Sequence, residues 1–161
     1  MKVLIVSDTH RHNENYIKVI ERERVSPIDM IIHCGDNEGS DDIIDDDANC
    51  TIKMVLGNND FFSELPRELE FHIGKYSVWL THGHNYYVSM GNETIKKEAK
   101  ARGVNIVMYG HTHKPLVEED EDIIAINPGS LTYPRQEGKK PSYIIMELDE
   151  NGKASFKINY L

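Results

Sequence analysis

Short apolar runs alternate with polar, glycine-containing breaks along this chain, and five of the runs end in an aspartate, asparagine or histidine signature. Val3–Val6 is aliphatic throughout and too short for a helix, which predicts a strand buried on both faces. It ends in Ser7-Asp8-Thr9-His10. Asn13 or a neighbour opens a helix through about Arg24, with Tyr16, Ile17, Val19 and Ile20 on its apolar side, and Ser26-Pro27 stops it. Ile28 to His33 predicts a second strand, ending in Cys34-Gly35-Asp36-Asn37. Ser40 to Asp47 reads as a short acidic helix or loop. It lacks the Asp-x-Asp-x-Asp-Gly pattern of a calcium loop, so a solvated face explains it better. Thr51 to Leu56 predicts the third strand, which runs into Gly57-Asn58-Asn59-Asp60.

Leu69–Ile73 and Tyr76–Leu80 predict a hairpin about Gly74-Lys75, and its second strand leads to Thr81-His82-Gly83-His84. Asn92 to Arg102 predicts a helix with Gly103 as its stop. The run Val104, Ile106, Val107, Met108, Tyr109 then enters Gly110-His111-Thr112-His113, and Ile123–Ile126 enters Asn127-Pro128-Gly129-Ser130. Ser142–Asp149 and Lys153–Tyr160 close the chain as a hairpin about Asn151-Gly152. No linker or repeat interrupts this order, so residues 1–161 are expected to form one domain. Strand–helix alternation followed mostly by strands predicts an α/β layered fold, with two sheets packed face to face and helices outside.

With 161 residues, 39% of them hydrophobic, the chain is long enough to bury a sizeable core. A formal net charge of −9 and the lack of a basic run argue against a protein that grips long nucleic acid. Cys34 and Cys50 make no disulfide framework or Cys-x-x-Cys pair. No apolar run approaches the roughly 20 residues that span a membrane. Met1-Lys2 leads directly into a strand without a signal-peptide pattern, so a cytoplasmic location is expected.

The strand-end signatures change the picture. In α/β sheets, sites form beyond the carboxyl ends of the strands, which would bring Asp8, His10, Asp36, Asn58, His82, His111 and His113 together. Each of Asp8/His10 and His111/His113 is a pair two residues apart, the spacing that faces one side of an extended chain. Imidazole and carboxylate without thiolate suits Mn²⁺, Fe, Zn²⁺, Ni²⁺ or Co²⁺. Seven ligands exceed what one transition ion takes and fit two ions about 3.5–4 Å apart that share a carboxylate.

Asp8-x-His10, Gly35-Asp36, Gly57-Asn58-x-Asp60, His82 and Gly110-His111-x-His113 together resemble the five-part signature of the calcineurin-like metallophosphoesterases. The resemblance runs from Val3 to about Arg135 and is nearest to the small, single-domain phosphodiesterases of the YfcE type. It implies a two-sheet β-sandwich flanked by helices. It also implies one metal on Asp8, His10, Asp36 and His113, and a second on Asp36, Asn58, His82 and His111, with Asp36 bridging. A hydroxide between the ions would attack a small phosphodiester, and Asp36, Asn58, Asn59 and His82 would stand around the reacting centre. Mn²⁺ is the first expectation for the metal, with Ni²⁺, Zn²⁺, Fe and Co²⁺ as the others.

Many relatives carry a histidine where this chain has Asn59, and an amide cannot donate a proton as an acid does. Asn59 is therefore expected at the substrate without acting as general acid. His84 is a candidate at the substrate that could supply a proton instead, weighed against bracing a ligand or shaping a turn. Arg135, after Asn127-Pro128-Gly129-Ser130, is a candidate clamp for a phosphate oxygen, weighed against an exposed loop arginine. Asp60 is a candidate partner for a ligating imidazole or for the Asn58 loop. His33 and Cys34 are read as packing, and His12 and His72 as surface residues. The resemblance leaves two other functions to compare: a phosphomonoesterase or nucleotide phosphatase, and a non-catalytic scaffold like the retromer subunit of this fold. Small members of the branch often form dimers or tetramers, so a homo-oligomer is among the expected partners.

Overall fold

A computed structural model describes residues 1–46 and 49–161, so Asp47, the end of the acidic stretch read from the sequence, lies outside the described residues. In chain order the elements are β1 (Lys2–Val6), α1 (Glu14–Glu23), β2 (Met30–His33), α2 (Asp41–Asp46), β3 (Thr51–Met54), β4 (Glu68–Ile73) and β5 (Tyr76–Thr81). They continue with α3 (Glu93–Arg102), β6 (Ile106–Met108), β7 (Pro115–Glu119), β8 (Ile124–Pro128), β9 (Ser142–Leu148) and β10 (Ala154–Tyr160).

The strands form two five-stranded sheets, in the orders β10-β9-β1-β2-β3 and β4-β5-β6-β8-β7. In the first, β1, β2 and β3 are parallel and β9–β10 is an antiparallel hairpin against β1. In the second, β5, β6 and β8 are parallel, with β4 and β7 antiparallel at the edges. Helical crossovers of α1 and α3 are what permit the parallel pairs β1–β2 and β5–β6.

Side-chain alternation explains the layers. Val3 and Ile5 of β1 join Ile32, Val78, Leu80, Ile106 and Met108 in the core between the sheets. Leu4 and Val6 point the other way, onto Tyr16, Val19 and Ile20 of α1. On the outer face of the second sheet, Trp79 and Val107 pack against Ile95 and Ala99 of α3. Sheets covered on both faces need unbroken aliphatic runs, and Val3–Val6 is one. The Arg102 guanidinium lies 4.2 Å from the Trp79 ring centroid and closes that outer layer.

Most expected elements are present with ends shifted by a residue or two. The second strand starts at Met30 instead of Ile28, because the Asp29 carboxylate turns to accept from the Lys2 backbone N–H at 2.7 Å. β7 has no counterpart in the sequence reading. It is an edge strand that opens on a proline, ends in two glutamates and shows no clean apolar alternation. Among the described residues, no helix is long and apolar enough to cross a membrane.

Candidate metal centre

The loops that follow β1, β2, β5 and β6 meet at one edge of the sandwich. They place five side chains in two overlapping groups: Asp8, His10 and His113, and Asp8, Asp36 and His82. His113 Nε2 stands 3.0 Å from Asp8 Oδ1, His10 Nε2 is 3.4 Å from His113 Nε2, and His82 Nε2 is 3.4 Å from Asp36 Oδ2. Asp8 belongs to both groups, and Asp36 Oδ2 lies 3.9 Å from His10 Nε2, so either carboxylate reaches both sides.

Each of three imidazoles is turned by a partner behind it. Nδ1 of His82 and of His113 lies 2.8 Å from the carbonyl oxygens of Cys34 and Tyr133, and Nδ1 of His10 lies 2.6 Å from Glu38 Oε1. A carbonyl only accepts, so Nδ1 of His82 and His113 must carry the proton. Their Nε2 atoms then face inward as electron-pair donors in the neutral ring. His82 Nε2 and Asp8 Oδ1 are buried and, among the described residues, have no hydrogen-bond partner. A buried polar atom left so is costly, and a divalent cation at this point would satisfy both. The residues present therefore fit a metal.

Electrostatics lead to the same place. Burial opposes the charge on Asp36, but the neighbouring His82 and the hydrogen bonds from the Asn59 backbone and amide outweigh it and hold the carboxyl far below its ordinary value. Burial likewise pushes His82 down, and Asp36 and Asp8 reverse this and raise it to about 9. Proton and cation thus compete for the same nitrogen. Burial and the neighbouring His82 lower His111 and His84.

The loops are held in a costly shape. Asp8, His10, Asp36, His111 and His113 all have positive φ, between 45° and 66°, a region where a side chain costs about 1 kcal/mol or more. Asp60 is the brace. Its carboxylate accepts from the backbone N–H groups of Asp36 (2.8 Å), Glu38 (2.5 Å) and Gly57 (2.6 Å), tying the β2 loop to the β3 loop. Close approach explains two glycines. A Cβ on Gly57 would sit 2.1 Å from Asp36 Oδ1, and one on Gly110 2.1 Å from Ser7 Oγ and 2.8 Å from Asp8 Oδ2.

The other expected residues fall nearby. Asn59 donates to Asp36 twice, from its amide at 2.6 Å and its backbone N–H at 2.8 Å. Asn58 is exposed and makes no side-chain hydrogen bond among the described residues. The His111 ring lies 5.3 Å from that of His82, and its backbone N–H donates to Asp8 Oδ2 at 3.2 Å. The His84 ring is 5.5 Å from His82. Arg135 is exposed, and its backbone N–H bonds to the His113 carbonyl at 2.9 Å. Asn127 and Ser130 act as braces, donating to the carbonyls of Gly110 and Asp8 at 2.7 and 2.8 Å.

His33 is packed in the interior as expected, and its hydrogen bonds add to that reading. It is fully buried and hydrogen-bonded at both nitrogens, to the Gly35 N–H at 3.2 Å and Thr9 Oγ1 at 3.1 Å. Burial pushes it down to about 4, which keeps it neutral. Glu38 behind His10 was missed altogether, and so were the carbonyl partners on Cys34 and Tyr133. A backbone carbonyl leaves no mark in sequence, and Glu38 faces His10 only through the fold.

Layered sheets carrying a histidine–carboxylate cluster at their carboxyl edge make an α/β domain with a candidate metal site. The family model for the calcineurin-like phosphoesterase superfamily domain matches residues 1–151, and the chain belongs to that superfamily of metal-dependent phosphoric ester hydrolases. A probable metallophosphoesterase of Methanocaldococcus jannaschii is 31% identical over 161 residues, covering 98% of this chain and 80% of that protein. A solved structure described as a novel archaeal phosphodiesterase is 27% identical, covers 99% of this chain and 100% of its own, and superposes with a TM-score of 0.77. Vps29 of Entamoeba histolytica, solved with Zn²⁺, is 20% identical with a TM-score of 0.78 over 99% of both chains, which shows the shared fold.

Proposed function

We propose that this protein is a two-metal phosphodiesterase acting on small phosphodiesters. The observation that carries the reading is the pair of buried atoms that have no hydrogen bond among the described residues, Asp8 Oδ1 and His82 Nε2, inside a cluster of five converging side chains. Asp8, His10, Asp36 and His113 would hold one ion and Asp36, Asn58, His82 and His111 the other, with Mn²⁺ the first candidate and Ni²⁺, Zn²⁺, Fe and Co²⁺ the others. Two divalent ions supply a low-pKa water as nucleophile and neutralise the phosphoryl oxygens that it must approach.

The chain's own residues do the rest. Glu38 and the two carbonyls orient the imidazoles. The two Asn59 donors keep Asp36 turned into the site and leave Asn59 an anchor with no acidic proton to give. Without a general acid at that position, esters with good leaving groups are favoured, since loss of such an acid costs about 10²–10⁴-fold. The net charge of −9 favours a small substrate over long nucleic acid. A cytoplasmic location fits this reading.

The test is hydrolysis of bis-p-nitrophenyl phosphate beside p-nitrophenyl phosphate by metal-stripped protein given Mn²⁺, Ni²⁺, Zn²⁺ or Mg²⁺, with Asp36→Ala as control. Metal-dependent diester cleavage that is lost in Asp36→Ala is expected. Faster monoester cleavage would make the protein a phosphatase. The scaffold reading rests on fold alone, and the complete set of seven ligand positions speaks for catalysis. Absence of turnover with two ions bound would reverse that preference.

A further inference from the structure

Beside the metal centre lies an open cleft of about 630 Å³, a size typical of small-molecule sites. Thr112, between His111 and His113, belongs to its lining, so the cleft adjoins the metal loops. Val88, Met90, Tyr109 and Leu116 give it an apolar wall. Met90 is 88% exposed, a large apolar surface with nothing of the chain covering it. Lys114 and Arg135 add two cations. Both side chains are exposed, and among the described residues neither makes an ion pair, a side-chain hydrogen bond or a contact with an aromatic face. The cleft's carboxylate is Glu93, which leaves the lining with a net positive charge in a chain of net charge −9.

Unpaired cations beside an apolar wall suit one kind of occupant, an arm with a flat or apolar body and an anionic end. A methyl or ethyl ester arm would leave the cleft empty, whereas a nucleoside-sized arm fits its volume. Resting on the phosphodiesterase reading, we infer that the substrate is a phosphodiester with a nucleoside-sized arm bearing a second phosphate, which Lys114 and Arg135 hold away from the reacting phosphorus. Arg135 is then a specificity residue for that distal phosphate instead of a clamp on the phosphoryl group being transferred. Lys114, which the sequence did not single out, is its companion.

The experiment compares two esters that release the same p-nitrophenolate from the metal-loaded protein: thymidine 5′-(p-nitrophenyl phosphate) and its 3′-phosphorylated form. The expected result is a kcat/KM about tenfold higher for the 3′-phosphorylated ester, carried by KM and shrinking as salt screens the charges. In Lys114→Gln and Arg135→Gln the ratio of the two should fall toward one. Turnover of both esters without a preference, or a preference that survives both substitutions, overturns the inference. Isothermal titration with thymidine 3′,5′-bisphosphate gives a readout independent of turnover, with binding expected to weaken about threefold in Arg135→Gln. Should neither ester be cleaved while bis-p-nitrophenyl phosphate is, the inference falls and the phosphodiesterase reading stands; should bis-p-nitrophenyl phosphate also resist, that reading fails, and equal bisphosphate binding by the wild type and Arg135→Gln would then remove the subsite as well.

Discussion

Replacing Asp60 by asparagine isolates the brace between the β2 and β3 loops, because the side chain keeps its shape and loses only charge and one acceptor. Oδ2 takes two N–H groups, from Asp36 and Gly57, and Oδ1 takes one, from Glu38. An asparagine oriented to keep the first two turns its NH₂ against the Glu38 N–H, donor facing donor. Hydrogen bonds to a charged acceptor contribute about 1.5–3 kcal/mol each against about 1 for neutral ones, so Asp60→Asn should cost about 3–5 kcal/mol. For a chain of this size that lowers Tm by roughly 6–20 °C. The assay is thermal unfolding followed by circular dichroism in chelator, repeated with Mn²⁺. The metal-induced rise in Tm should also shrink, because the loops carrying Asp36 and Gly57 lose their register. A Tm within about 3 °C of the wild type, with the full metal-induced rise, would refute the reasoning and make Asp60 an ordinary turn residue.

Gly110→Ala forces a Cβ into Ser7 and Asp8 and should destabilise the fold by about 1–3 kcal/mol while weakening metal uptake, read by denaturant unfolding and by metal content after dialysis. Chelating a metal present at about 1,000 times its Kd should remove about 4 kcal/mol of stability, measured as a Tm that returns when Mn²⁺ is restored. Far from the site, burial opposes the charge on Glu23, but hydrogen bonds from Lys2 and Tyr143 outweigh it and hold the carboxyl below its ordinary value of 4.5. The folded state therefore binds its proton less readily than the unfolded state. The stabilisation is present above about pH 4.5 and lost as pH falls through the folded value. Glu23→Gln should be less stable than wild type by about 1–2 kcal/mol at pH 7, and by urea unfolding the gap should narrow steadily as pH is lowered below 4.5. Asn59→His should speed diesters with poor leaving groups selectively; a leaving-group dependence identical to the wild type would count against an acid role at that position.

The sheets and the convergence of Asp8, His10, Asp36, His82 and His113 were legible because two rules act locally. Aliphatic runs such as Val3–Val6 mark strands covered on both faces, and ligands in parallel sheets collect beyond the strand ends. What stayed hidden depends on contacts between distant segments. Asp60 was recognisable as a loop residue, but that it spans two loops follows from the β3 loop lying beside the β2 loop. His33 looked like packing because nothing in its neighbourhood shows that Thr9 will stand at its other nitrogen. β7 escaped because an edge strand needs neither alternation nor a buried face, and Pro115 disguises its start. Arg135 was singled out as a phosphate clamp, yet only the cleft shared with Lys114 suggests which phosphate.

The division of ligands between the sheets bears on how the centre comes into being during synthesis. Asp8, His10 and Asp36 follow strands of the first sheet, whereas His82 and His113 follow strands of the second. His113 emerges from the ribosome 103 residues after His10, so neither group of ligands is whole while the first half of the chain stands alone. A nascent first half, with Asp8, His10 and Asp36 but neither His82 nor His113, would take whichever ion binds most tightly, with copper and zinc favoured in the general affinity order. On the two-metal reading the choice would be deferred until both sheets have closed, when ligand spacing instead of raw affinity sets the terms. Refolding the purified chain in mixed metals, and comparing its content with that of protein loaded after folding, would show how much that delay matters.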